Sequence, residues 1–462
     1  MLRSLWISLV YGMFLCAGFA APFVLGLGYV WVDTFQPQNV VYSMLTEIPV
    51  SQVMGVATII AYVLLDRRSP PSIGLVTVLS VMMLMWITYT TLNEPVVPQF
   101  ALQKYNWASK TILFSLFMPA LFRSRVQIEA FLHIYVFSLA VQFVPFAAKT
   151  LISGGAYGIN FGVVAGNSGL SEGSTLSTAC LIASMMCLYL ARHQTILPQH
   201  RIVSLGFLGL FVMCIVAGIG TYERTALVGT VVVLAGLWLI SKRKLLYAVP
   251  AVAAGALFLL YLTTSDSEWA QRMLTISDPN EGSTYGRILV WKWTLNFVQD
   301  HPFGGGFYAY MIDTITSPAT PDFPDGLVIH GKAFHSIYFE MLGENGWPGL
   351  FLFLALMAGS AWTFLRVRHL CQILPGMQWC ADLAFMGLMS LAVLLVCGAF
   401  ISIAFLPEVY YTFALAAMLR QHVRGVRREM MRKAIRAEER ARTRDVLDGK
   451  VADQGDWTEQ PA

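Results

Sequence analysis

The sequence predicts an all-α polytopic membrane protein with about 12 transmembrane helices and one long, ordered outer loop carrying amphipathic helices. Three observations carry this. Of 462 residues, 56% are hydrophobic and only 13% are charged, about half the ~25% of an ordinary soluble domain. Mean hydropathy is +0.61. Apolar runs of membrane length recur along the chain, and basic residues occupy alternate gaps between them. A soluble enzyme, a disordered chain and a disulfide scaffold are excluded.

Twelve apolar runs are legible, near 5–32, 50–65, 73–91, 109–122, 126–148, 175–191, 202–221, 225–241, 245–263, 347–365, 380–400 and 404–420. The first begins behind Arg3 and passes Gly18-Phe19-Ala20, the layout of a signal peptide. Its continuation to Val32 favours a retained span instead. Arg67 and Arg68, Arg123 and Arg125, Arg192 and Arg201, Lys242 to Lys244, and Arg366 and Arg368 fall in every second gap. By the positive-inside rule these gaps and both termini are cytoplasmic. Were 5–32 a hairpin, the count would be thirteen and the N-terminus would change sides.

The chain thus divides into 1–263 with spans one to nine, an outer loop 264–346, spans ten to twelve in 347–420, and a basic tail 421–462. The loop has 83 residues with ten acids and four bases, a formal charge of −6. Between Arg420 and Lys450 lie 11 of the 31 Lys and Arg residues. That tail reads as a solvated helix end or as a surface that meets anionic lipid. Seven cysteines, none at metal-ligand spacing, read as small buried apolar residues.

Charge is scarce, so each outer basic residue needs a reason. Arg224, in Glu223-Arg224-Thr225, opens a span on the side where positive charge is depleted. It snorkels, pairs with Glu223, or anchors an anion through its guanidinium fork. Ser283-Thr284-Tyr285-Gly286-Arg287 precedes Ile288, Trp291, Leu295 and Val298 at helical spacing. This predicts an amphipathic helix on the membrane surface, capped at its start and ended by Asp300-His301-Pro302. Arg287 lies in its first turn, where a cation opposes the helix dipole and an external anion would compensate.

His301-Pro302-Phe303-Gly304-Gly305-Gly306 reads as a tight structural turn, because it lacks the lysine of a phosphate loop. Lys332 to Trp347 reads as a helix with His335 near its start and Gly346 just past its end. His335, Phe339 and Leu342 share one face, as do Glu340 and Glu344. A neutral imidazole there can take a proton from a hydroxyl. His330, Asp322 and Asp325 match no strong metal spacing. Two arginines and a histidine on one face suit a lipid-linked diphosphate and a hydroxyl acceptor. A transporter or flippase for a lipid-linked saccharide is the rival reading. It predicts charges deep inside spans and broken midplane helices.

The ordered set Glu223-Arg224-Thr225, Gly286-Arg287 with Trp291, His301 to Gly306, His335-Ser336-Ile337-Tyr338 and Glu344-Asn345-Gly346 resembles the O-antigen ligase and O-antigen polymerase superfamily of bacterial inner membranes. The N-terminal half, with Phe35-Gln36-Pro37, looks similar to the O-glycosylation ligases that accompany exosortase systems. One departure is Ser336, where the family often has Asn. The resemblance implies transfer of a glycan from an undecaprenyl-diphosphate carrier to an acceptor hydroxyl at the periplasmic face. It implies an inverting, metal-independent reaction with no cofactor. The acceptor would be lipid A–core, a glycan or a protein hydroxyl, with membrane lipids as surroundings and no nucleic acid partner. His335 would be the base, with Arg224 and Arg287 on the diphosphate. Tyr338, Glu344 and Lys104 would add substrate contacts, and Lys110 and Lys149 would lie nearby.

Overall fold

The computed structural model describes residues 2–42, 44–153, 170, 172–241, 260, 264, 270, 282–317 and 326–447. The span expected over 245–263 lies almost wholly outside them, as do Asp322 and Asp325. Among the described residues, helices dominate. Six are long and apolar enough to cross a membrane: Leu75–Asn93, Arg125–Ser153, Gly173–His193, Arg201–Gly220, Ile337–Ile373 and Gln378–Phe400. Leu2–Gly18, Pro22–Phe35, Val50–Leu65 and Arg224–Leu239 are shorter apolar helices.

The expected single run over 5–32 is two helices, α1 (Leu2–Gly18) and α2 (Pro22–Phe35). Pro22 opens α2, where its missing N–H costs nothing. The two pack antiparallel: a Cβ on Gly18 would strike Leu25, and one on Gly28 would strike Phe14. The Tyr42 amide donates to Ser4 Oγ at 3.1 Å. This is the hairpin arrangement that the sequence left open for 5–32. Residue 4 sits at the bundle end that carries 36–49. The tail leaves from the other end, where His422 Nδ1 donates to the Arg123 carbonyl at 2.7 Å.

Next come α3 (Val50–Leu65), α4 (Leu75–Asn93), α5 (Pro98–Leu121) and α6 (Arg125–Ser153). Central to the bundle is α7 (Gly173–His193), in which every residue from Gly173 to Ala191 is buried. Ser177, Thr178 and Ser184 satisfy their hydroxyls on backbone carbonyls one turn back, of Ser174, Ser174 and Leu181. Small side chains such as Ser177, Ala179 and Ala183 allow α6, α8 (Arg201–Gly220) and α9 (Arg224–Ile240) to approach closely. Outward positions such as Leu205, Val212 and Leu234 remain apolar and exposed, as lipid-facing positions require.

The segment 282–346 departs from the sequence reading in three ways. Helix α10 (Gly282–Asp300) does not simply lie along a surface. Val290, Phe297 and Val298 form a small second core with Ala309, Ile315, Phe334 and Leu342. A hairpin absent from the all-α expectation follows: β1 (Thr314–Ser317) pairs antiparallel with β2 (Leu327–His330), Ile315 opposite Ile329. The β-branched residues Thr314, Ile315 and Thr316 in one stretch and Val328 and Ile329 in the other favour strand pairing. Helix α11 (Ile337–Ile373) starts five residues later than the helix expected from Lys332, so His335 lies outside it; it runs on into the expected span and breaks at Gly346 (φ 65°, ψ −169°). The bundle closes with α12 (Gln378–Cys397) and α13 (Pro407–Leu447).

Candidate functional site

The three-glycine run is a backbone clasp on the α11 break. Gly305 N donates to Gly343 O and Gly306 N to Glu344 O, both at 2.9 Å, and Trp347 N donates to Pro302 O at 3.0 Å. A Cβ on Gly304 would lie 2.5 Å from Gly346 N, and one on Gly346 would lie 2.2 Å from Pro302 O. Only glycine permits this approach at positive φ. The clasp fixes where α11 begins, and therefore where His335 stands.

His335 lies just before Ser336, the residue that precedes α11, with φ +48°. Its segment is tied down on both sides. Trp291 Nε1 of α10 donates to Phe334 O at 2.8 Å, and Lys332 N donates to Asp313 Oδ1 at 3.0 Å. The imidazole is half-buried. Burial, with help from the Arg287 and Lys332 charges, lowers its pKa from 6.5 to about 4. It is therefore neutral at physiological pH and able to accept a proton.

Arg287 is thus close enough to His335 for its charge to matter. It also acts on Glu172, just ahead of α7, a residue that sequence reasoning missed. Burial raises the Glu172 carboxyl above its ordinary range. Thr175 Oγ1, donating at 3.3 Å, opposes that; Glu223 reinforces it, and Arg287 opposes it. Glu223 packs over Gly173. The signal available in the sequence was a lone acid at the mouth of an uncharged span.

Arg224 opens α9 immediately after Glu223. Thr225 O accepts from Cys397 Sγ at 3.6 Å, Ile337 packs over Gly398, and Tyr338 OH donates to Leu395 O at 2.8 Å. The start of α9, the end of α12 and the start of α11 therefore meet at one corner. Arg224, Arg287 and His335 all sit on elements that converge there.

The three expected substrate contacts all have partners within the protein. Tyr338 spends its hydroxyl on Leu395. Lys104 and Glu344 are buried and bound to each other. Lys104 Nζ donates to Glu340 Oε1 at 2.7 Å and to Glu344 Oε1 and Oε2 at 2.8 and 2.9 Å. Glu340 Oε2 also accepts from Ala404 N, and Glu344 Oε1 from Tyr308 N. Phe307, Tyr308 and Phe405 stand 5.3 to 5.6 Å from the ammonium. This triad ties α5 to α11. His330 Nδ1 is taken up by Thr314 Oγ1 at 3.1 Å.

Fold and site together define a multi-pass membrane protein with a histidine and an arginine within electrostatic reach of each other at one end of its bundle. Residues 208–354, about a third of the chain, match the O-antigen ligase family; the match supports kinship of this stretch with the O-antigen ligase superfamily and suggests a membrane glycan ligase or polymerase type. The matched stretch contains Arg224, Arg287, the glycine clasp and His335. Residues 2–195, for which the narrower resemblance was expected, match a family of unknown function (DUF5935). No curated protein matches the chain.

Proposed function

We propose that the protein transfers a glycan from an undecaprenyl-diphosphate carrier to an acceptor hydroxyl, with inversion and without a metal ion. The observation that supports this best is a half-buried histidine held at positive φ just ahead of α11 and within reach of the Arg287 charge, which with burial favours the neutral ring. His335 takes the acceptor proton as the acceptor oxygen attacks the anomeric carbon. The bond from that carbon to the diphosphate breaks, and the diphosphate leaves with the electron pair. Arg287 and Arg224 hold the diphosphate and offset its growing charge. His335 then returns its proton to solvent. Attack opposite the leaving group inverts the anomeric centre.

On this reading the His335 end faces the periplasm of a bacterial inner membrane, and the arginine-rich end faces the cytoplasm. Counting α1 and α2 separately brings the expected spans to thirteen and the N-terminus to the periplasmic side. The acceptor is lipid A–core, a growing glycan or a protein hydroxyl. Purified protein given undecaprenyl-diphosphate glycan and these acceptors, with and without EDTA, tests the proposal. Full activity in His335→Ala removes the base from the mechanism. Loss of activity on chelation removes the metal-free step. Product size separates single ligation from polymerisation.

A further inference from the structure

At the bundle end away from His335, α4, α11 and α13 enclose a cavity of about 560 Å³. Arg366 of α11 and Arg420, Arg424, Arg427 and Arg428 of α13 line it. The sequence spacing explains the gathering: 420, 424, 427 and 428 fall on one helical face, and 362, 366 and 370 on another. The remaining wall is apolar, with Trp362, Leu370, Val423 and Met431. Trp362 is 62% exposed, so the wall opens toward the surroundings of the bundle.

No acid lines this cavity, and among the described residues none of its five arginines forms an ion pair. Other arginines at the same end do: Arg68 holds Asp66, and Arg125 holds Glu129. Arg420 instead lies within repulsive reach of Arg424 and Arg366. It donates only long bonds, 3.4 Å each, to Ser72 Oγ and Ile73 O. Five uncompensated like charges around one apolar-walled hollow need an anion with an apolar body.

We propose that this cavity binds an anionic phospholipid. Arg366, Arg420 and Arg424 take the phosphate, and Trp362 and Leu370 take the first acyl carbons. The site is independent of glycan transfer, so its failure and that of the catalytic reading are separable.

Binding of phosphatidylglycerol, phosphatidylcholine and inorganic phosphate to the detergent-solubilised full chain tests it by native mass spectrometry and titration. Arg424 and Arg427 are exposed, so Arg424→Gln/Arg427→Gln leaves helix packing intact. Phosphatidylglycerol should bind at least tenfold tighter than phosphatidylcholine. The double variant should lose about fivefold per arginine. Arg436→Gln/Arg440→Gln, on the exposed tail outside the cavity, should keep wild-type binding. Equal loss in the two double variants, no preference over phosphatidylcholine, or inorganic phosphate binding as tightly as the lipid would each overturn the proposal.

Discussion

The indole of Trp291 donates to the Phe334 carbonyl at 2.8 Å and lies flat on Phe339, centroids 5.0 Å apart and planes 4° apart. These two contacts bracket His335 in sequence. A histidine at φ +48° is strained by about 1 kcal/mol or more, so its surroundings must hold it there. Trp291→Phe keeps the stack and deletes the donor. A net stability loss of about 1 kcal/mol is expected in thermal melts. The larger effect should fall on kcat, about tenfold or more, because base alignment is lost. KM should move little, since both arginines remain. A rise in KM with unchanged kcat would assign Trp291 to substrate binding instead.

The titration of His335 has a definite sign. Its folded pKa of about 4 lies below the ordinary 6.5. Between these values the unfolded chain binds a proton that the folded chain does not. Stability from this group is therefore complete above pH 6.5 and falls as the pH drops toward 4. Catalysis follows the same group, since only the neutral ring can act as base. The acid limb of kcat/KM against pH should lie well below 6.5. Lys332→Met removes one of the two named cations and should move that limb upward. A limb unmoved by Lys332→Met would detach it from His335.

Much of this molecule was legible as pattern. Apolar runs of membrane length marked α3 to α9, and the order of arginine, glycine run and histidine picked out the candidate site. What escaped depends on neighbours. The break between α1 and α2 hides in an unbroken apolar run, because Pro22 at a helix start and a proline inside a span look alike in sequence. Lys104 reads as an outer base, yet folding buries it against Glu340 and Glu344, 236 and 240 residues away. Glu172 had no local motif and acquires its role only when α10 arrives. Buried charge in α5 and α11 also exceeds what the nearly uncharged spans suggested.

Lys104 therefore serves as a test of structure against substrate contact. Lys104→Met strips the only cation facing two buried carboxylates among the described residues. The expected cost is about 3–5 kcal/mol, with poor recovery of folded protein. Adding Glu340→Gln and Glu344→Gln should restore part of the melting temperature, because the uncompensated charges are gone. Size-exclusion profiles and melting curves in detergent read both steps. An unchanged melting temperature with a raised KM for donor would return Lys104 to the substrate.

Gly346 and Gly376 separate backbone freedom from close approach. Both have positive φ, 65° and 73°. Nothing lies within 4 Å of a Cβ built on Gly376, so Gly376→Ala should cost about 1 kcal/mol from the left-handed backbone alone. At Gly346 the same Cβ would sit 2.2 Å from Pro302 O and 2.4 Å from Phe303 C, backbone atoms that cannot yield without opening the clasp. The φ, ψ pair there also belongs to a region reserved for glycine. Gly346→Ala should therefore destabilise by several times the Gly376→Ala value, and any folded fraction should lose activity as the start of α11 shifts His335. Paired melting curves and turnover measurements on the two variants check this. Equal effects would mean that the clasp contributes nothing beyond its backbone angle.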